Sequence, residues 1–245
     1  PPKAAAARPE TPRELWDIAQ FPRGPVAGSC VHAIWENIAA NMPVEDAVRR
    51  GLETYGLDLR WTEALTQMVE HVLHADLGGL CLREHQGWVA EMEFLLPTQG
   101  LSRMELAAMT RSFSGRTPPF ARDVGSGWIT GFVDAVVEIH GRYYVVDWKT
   151  HLLGETPEAY TPAAMAKVME EHGYDLQAAL YLAALDRLLA ARMPGHDPLE
   201  LLGGAFFLFV RGIHPRYPGR GIVHIPAHPT TIHAMRSRLC SLPQS

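Results

Sequence analysis

Two strand-like runs joined by a two-residue turn constrain the fold of this chain more than any other feature. Residues 128–139 and 142–148 have the composition and alternation of β-strands. His140 and Gly141 stand between them, a length and composition typical of a tight hairpin turn. With these two residues as the turn, the residues that flank it lie opposite each other. The sequence therefore predicts one antiparallel hairpin with a fixed register.

This register brings three charged residues to one face of the hairpin. Asp134 falls opposite Asp147, and Lys149 shares the face of Asp147 because side chains alternate along a strand. Opposed residues have Cβ atoms about 4.5 to 5.5 Å apart, where two like charges destabilise the pair. Two carboxylates this close share either a proton or a cation. Mg²⁺ suits such oxygen ligands, because it usually takes one or two carboxylates together with water and substrate phosphate.

A lysine beside such a cation has a chemical use as well. Lys149 could orient or deprotonate an attacking water, or stabilise the charge that develops on a phosphate. The alternative is a solvent-facing hairpin edge, on which Asp147 and Lys149 form a surface ion pair worth at most about 1 kcal/mol. That alternative must also explain the acid at the facing position, Asp134.

The rest of the chain predicts helices before and after the hairpin. Ser102 and Glu105 form a capping-box pattern that opens a short helix, and Thr161 precedes a proline as the N-cap of another. The order of elements predicts an α/β fold, a mixed central sheet flanked by helices with an N-terminal helical portion. The sequence predicts a proline-rich linker or extended arm at 1–26 and one domain at 27–245. Within this domain we expect helices at 29–76, then a sheet core at 88–150 whose first strand is 88–96. Helices at 162–193, the second of them at 175–193, and a strand at 204–211 complete the domain.

Composition narrows the function. The 245 residues carry a net charge of −5, which disfavours a stand-alone nucleic-acid binder and indicates that another part holds any nucleic acid. The three cysteines lack the spacing of a zinc or disulfide framework. There is no G-x-x-x-x-G-K-[ST] loop, and hence no ATP site of that type. No apolar run reaches the roughly 18 to 20 residues that span a bilayer, so we expect a cytoplasmic protein without a membrane partner.

The hairpin residues resemble a known family. Residues 131–134 (GFVD) and 141–150 (GRYYVVDWKT) closely resemble the RecB-type nuclease domains, which belong to the PD-(D/E)XK group. Four further segments resemble the same domains in the same order: FPRG at 21–24, EMEFLLP at 91–97, YDLQ at 174–177 with LY at 180–181, and FVRG at 209–212. The resemblance covers the chain from about residue 21 and implies the PD-(D/E)XK nuclease fold.

The resemblance also implies roles for individual residues. Lys149 matches the catalytic lysine, and Glu91 matches an acid on the preceding strand, although Glu93 shares its face. The implied metal ligands are His32, Asp134, Asp147 and the backbone carbonyl of Trp148. Tyr174, Gln177 and Tyr181 form one helical stripe that would orient the site or contact DNA. The family commonly has Tyr and Ser where this chain has Trp148 and Thr150; neither position supplies an essential side-chain ligand.

The function implied by the resemblance is a Mg²⁺-dependent DNA nuclease, the nuclease part of a helicase–nuclease that acts in double-strand-break repair, recombination and degradation of linear DNA. It further implies that Ca²⁺ binds without supporting cleavage. The implied partners are single-stranded DNA and unwound duplex ends, the RecB helicase portion, and RecC and RecD subunits. The alternatives are a catalytically silent nuclease-like module that docks to a partner helicase or recombinase, and an RNA or structure-specific nuclease of the same fold.

Overall fold

The computed structural model of the protein describes residues 18–84, 87–98, 102–114, 127–230 and 232–233. The helices are α1 (Pro25–Ala39), α2 (Val44–Thr54), α3 (Thr62–Leu73), α4 (Arg103–Ser114), α5 (Pro162–His172), α6 (Tyr174–Arg192) and the short α7 (Pro198–Leu201). The strands are β1 (Val89–Thr98), β2 (Gly127–Ile139), β3 (Arg142–Lys149), β4 (Leu202–Phe209) and β5 (Ile222–Ile225). Within these described ranges no helix combines the length and hydropathy needed to cross a membrane.

The five strands form one sheet in the order β1-β2-β3-β4-β5. Strands β3 and β4 are parallel, and the other three pairs are antiparallel. The chain between β3 and β4 contains α5, α6 and α7, because a parallel pair needs a long crossover. The predicted mixed sheet with flanking helices and an N-terminal helical portion is therefore confirmed.

The predicted hairpin is confirmed together with its register. Ile139 pairs with Arg142, and the ladder continues without a shift as far as the pair Ala135 and Val146. His140 and Gly141 have φ angles of 51° and 76°. Positive φ at both central residues is the requirement of a type I′ turn, whose twist matches that of the flanking strands.

Each face of the sheet has its own hydrophobic core. On one side α1 to α3 pack against β2 and β3, where the rings of Trp35 and Trp148 stack at 4.1 Å with planes 12° apart. On the other side α5 and α6 cover β3 and β4. Helix α6 presents small residues such as Ala178 and Ala179 to the sheet, so its backbone approaches β3 closely. Asp147, Lys149 and the α6 residues that contact Lys149 all lie on this second side.

The predicted linker is wrong for residues 18–26. Ile18 and Phe21 are buried, and α1 already begins at Pro25. The guanidinium of Arg211 holds this stretch by donating to the carbonyls of Ile18 (3.1 Å), Phe21 (2.8 Å) and Pro22 (2.6 Å). The prolines favoured a linker in the sequence, but Pro25 stands in the first turn of a helix, where its missing N–H costs nothing. Residues 1–17 of the predicted arm lie outside the described residues.

Several predicted boundaries shift in the structure. The strand expected at 204–211 is Leu202–Phe209, and the next three residues form a 3₁₀ turn. The strand expected at 88–96 continues through Pro97 to Thr98. The third helix of the 29–76 segment ends at Leu73. Strand β5 was not predicted from the sequence, because four residues are too few for a clear alternation.

The predicted helix starts are confirmed. Glu105 N donates to Ser102 Oγ at 3.2 Å while Ser102 N donates to Glu105 Oε2 at 3.0 Å, the reciprocal pattern of a capping box. Thr161 Oγ1 accepts from Ala164 N at 3.1 Å and caps α5. The helix expected to start at residue 175 starts at Tyr174, directly after Gly173 in a left-handed conformation that separates α5 from α6.

Candidate active site

Strand β2 leaves β3 at Asp134, and this separation makes room for a site. The ladder ends at Ala135 and Val146, one step before Asp134 and Asp147. The carboxylate of Asp134 then accepts the backbone N–H of Trp148, with 2.9 Å between Oδ2 and N. Beyond this point β2 continues paired with β1 alone. A side-chain hydrogen bond thus replaces the backbone ladder where the two acids meet.

Asp147 is a buried acid without hydrogen bonds. It is 1% exposed, and neither of its carboxylate oxygens accepts a hydrogen bond within the described part of the chain. Lys149 Nζ lies 2.7 Å from Oδ1, an ion-pair distance, but not at the angle of a hydrogen bond. The ammonium of Lys149 compensates part of the charge at Oδ1, whereas Oδ2 has no hydrogen bond within the described residues, so the burial of this carboxylate still costs folding free energy that a bound cation would offset.

The ammonium of Lys149 is held on three sides. Its Nζ forms the ion pair with Asp147 Oδ1 and donates a hydrogen bond to Gln177 Oε1 at 3.1 Å. Its Nζ lies 3.7 Å from the centre of the Tyr174 ring, a cation–π distance. Gln177 Nε2 in turn donates to the hydroxyl of Tyr181 at 2.6 Å. The structure therefore brings the stripe of three α6 residues predicted from the sequence directly against the lysine.

His32, Glu91 and Asp134 form a cluster that could hold a metal ion. One ligand atom from each lies within 4.8 Å of the others, and His32 Nδ1 is 3.4 Å from Asp134 Oδ2. Glu91 has φ of 48°, a conformation that residues other than glycine rarely adopt, and it lies opposite Asp134 at the one step missing from the β1–β2 ladder. Strained backbone of this kind is often found at functional sites. Glu93 is not a member of the cluster.

Burial and mutual repulsion shift the pKa values of the cluster. Burial, and then the charge of Asp147, raise the pKa of Asp134 to about 8, against the lowering effect of the Trp148 N–H and Lys149. Burial, Glu36 and Asp147 raise the pKa of Glu91. Burial lowers the pKa of His32 below its ordinary value. A neutral imidazole beside crowded carboxylates is a donor set suited to a divalent cation.

The residues present therefore fit a divalent metal. Asp147 supplies two buried oxygens without hydrogen bonds, and the His32 cluster supplies one nitrogen and carboxylate oxygens. Oxygen donors with one imidazole suit hard or borderline divalent ions and disfavour ions that prefer sulfur.

One residue near the site was not predicted from the sequence. The ring nitrogen Nε2 of His151 lies 3.4 Å from the hydroxyl of Tyr174, whose ring lies beneath Lys149. The ring of His172 lies against both, with centroids 4.7 Å from His151 and 5.3 Å from Tyr174. The one indication in the sequence was the position of His151, two residues after Lys149.

Comparisons with known proteins identify the family of this chain. The model of the PD-(D/E)XK nuclease superfamily matches residues 5–239. The RecBCD enzyme subunit RecB of Escherichia coli (strain K12) is 38% identical over 212 residues, which are 83% of this chain and 18% of that protein. The RecB subunits of Haemophilus influenzae and Mycobacterium tuberculosis (strain H37Rv) are each 30% identical, over 81% and 86% of this chain and 17% and 23% of those proteins. The chain thus spans about a fifth of the length of these relatives.

Proposed function

Because the chain belongs to the PD-(D/E)XK nuclease superfamily, we propose that it hydrolyses DNA phosphodiester bonds with Mg²⁺. The observation that carries the proposal is the buried carboxylate of Asp147, which has the ammonium of Lys149 at 2.7 Å and accepts no hydrogen bond within the described residues. A structural ion pair would have no need for the nearby cluster of His32 and two more acids. Together these groups provide a cation site and a fixed positive charge beside it.

The proposed metal ligands are His32, Asp134, Asp147 and the carbonyl of Trp148, with Glu91 as the supporting acid. A Mg²⁺ ion there would polarise the scissile phosphate and lower the pKa of a bound water. Asp134 has one oxygen fixed by the Trp148 N–H, so its carboxylate orientation is set before anything binds. The strained backbone of Glu91 directs a third carboxylate toward the same point.

Lys149 has the role of positioning a water and stabilising negative charge on the phosphate. Gln177 and Tyr174 fix the direction of its side chain, and Tyr181 fixes Gln177. A pre-oriented charge of this kind needs no reorganisation during the reaction, which is what makes it effective. We expect this orientation to be retained before the substrate arrives, since every contact comes from the protein itself.

The similarity to RecB subunits supports a role within a larger assembly. We propose that the chain is the nuclease part of a RecB-type helicase–nuclease in the bacterial cytoplasm, acting in double-strand-break repair, recombination and degradation of linear DNA. Its DNA would be single strands and unwound duplex ends, and its partners the helicase portion and the RecC and RecD subunits. The net charge of −5 supports this proposal, because a protein with more acidic than basic side chains relies on other parts to hold DNA.

The test is digestion of linear and circular single-stranded DNA, and of an RNA of the same sequence, in Mg²⁺, in Ca²⁺ and in EDTA. The wild type should cleave the DNA in Mg²⁺ and not in EDTA, and Ca²⁺ should support binding without cleavage. Loss of the circular form would add endonuclease to exonuclease activity. Asp147→Ala and Lys149→Ala should be folded and inactive, and Glu138→Ala, which removes an exposed acid of the same strand as Asp134, should cleave normally.

Two results would contradict the proposal. Cleavage retained by a folded Asp147→Ala variant would place the chemistry elsewhere. A wild-type chain that is folded, binds no divalent metal and cleaves nothing would be a docking module instead. Preferential cleavage of the RNA would change the substrate class and leave the site unchanged.

A further inference from the structure

The outer half of the β1–β2 ribbon has one face that carries large, exposed aromatic side chains. Within the described part of the chain, these two strands pair only with each other beyond Asp134. The side chains of Phe94, Leu96 and Val133 point to one face and are buried in the core that includes α6. Phe132 and Trp128 alternate to the opposite face, where they are 52% and 57% exposed.

The exposed face is continuous with the metal cluster. At the rise of a β-strand, Phe132 lies about 7 Å from Asp134, two residues away on β2. Trp128 lies four residues before Phe132, about 14 Å further from Asp134. On β1, Glu93 pairs with Phe132 and stands two residues after Glu91 of the cluster. A polymer that reaches the cluster along this ribbon crosses both aromatic rings.

Charge decides which part of a nucleic acid would contact this face. Glu93 is exposed directly opposite Phe132, and Leu95, opposite Thr130, is also exposed. An acid at this place repels phosphates, so the face disfavours contact with the sugar–phosphate backbone. Flat aromatic rings, by contrast, accept any base by stacking.

We propose that Phe132 and Trp128 form a base-stacking platform for single-stranded nucleic acid that guides the strand to the cluster at Asp134. The proposal rests on the nuclease function and adds the surface by which the substrate arrives. It requires unpaired bases, since the bases of a duplex already stack on each other and cannot lie on the rings. A duplex end would have to be unwound before its strand could use this platform.

The test is the affinity for a fluorescein-labelled oligothymidylate, compared with that for an abasic oligomer of the same number of phosphates. Both are measured by anisotropy in Ca²⁺, with intact strands verified on a gel. The wild type should bind the oligothymidylate about tenfold more tightly. Phe132→Leu combined with Trp128→Leu, which keeps apolar surface but removes the flat rings, should abolish this preference. Phe132→Tyr should retain it.

The control is Val89→Ala, an exposed apolar residue of β1 on the other side of Glu91, which should bind both oligomers as the wild type does. Equal affinity of the double leucine variant and the wild type for oligothymidylate would overturn the platform. Cleavage by the wild type in Mg²⁺ is followed in parallel. An inactive chain that still prefers bases would refute the nuclease and retain the platform.

Discussion

Two buried ionisable side chains of this protein have opposite surroundings. Arg211 is 5% exposed, donates to three backbone carbonyls and lies over the ring of Phe21. Asp147 is 1% exposed and accepts no hydrogen bond within the described residues. A folded chain that satisfies one buried charge so fully could have satisfied the other. The difference indicates that Arg211 serves the fold, and that Asp147 is kept available for a ligand at a cost in stability.

The largest expected effect concerns activity. Asp147→Asn keeps the shape of the side chain but removes the charge, so we expect cleavage of single-stranded DNA to fall roughly 1,000-fold, as when a preorganised charge-stabilising group is lost. Single-turnover rates in Mg²⁺ measure this fall, with Glu138→Gln as the control on an exposed acid. A loss of less than tenfold would mean that Asp147 does not contribute to the reaction.

The second effect is on folding. Arg211→Met would leave the carbonyls of Ile18, Phe21 and Pro22 buried without donors, so the free energy of unfolding should fall by about 3 kcal/mol. Urea denaturation measures it, with the exposed Arg192→Met as the control. An unchanged midpoint would show that residues 18–26 are held by apolar contacts alone and that the hydrogen bonds of Arg211 do not stabilise the fold.

The third effect depends on pH. In EDTA the folded chain keeps the proton on Asp134 up to a pKa of about 8, whereas the unfolded chain releases it near 4. The folded state therefore binds more protons between these values, and this group makes stability fall as pH rises. The stability advantage of Asp134→Asn should grow from pH 5 to pH 8 by on the order of 4 kcal/mol. Thermal melts at both pH values measure it; an advantage that does not change with pH would contradict the shift.

The smallest effect concerns the support of Lys149. Tyr174→Leu removes the ring beneath the ammonium, a contact worth about 1 to 2 kcal/mol, so cleavage should slow about tenfold. Tyr174→Phe keeps the ring and loses only the contact with His151, and it should slow cleavage less than about threefold. Equal rates for the two variants would show that the ring itself does not position Lys149.

The hairpin and its two acids could be predicted because short-range rules set them. A two-residue turn with Gly141 fixes the register, and the alternation of side chains then places Asp134, Asp147 and Lys149. Helical spacing predicted that Tyr174, Gln177 and Tyr181 share one face of α6. Their position beside the active site was predicted only through the family resemblance.

What could not be predicted depends on distant partners or on strain. The docking of residues 18–26 requires Arg211, which lies about 190 positions away along the chain. The positive φ of Glu91 departs from what a strand pattern implies, and only the sheet that splits at Asp134 makes it possible. The lack of hydrogen bonds at Asp147 is likewise a property of the assembled core.

The unfolding free energy of the wild type and of Asp147→Asn, each in EDTA and in Mg²⁺, shows whether Asp147 is reserved for a cation. Asp147 is paired with Lys149 but crowded by Asp134, and a bound cation relieves this crowding and stabilises the chain. We therefore predict that Asp147→Asn is the more stable protein in EDTA and the less stable one in saturating Mg²⁺. A wild type that is more stable in both conditions by the same amount would contradict the account, because Asp147 would then be a structural partner of Lys149.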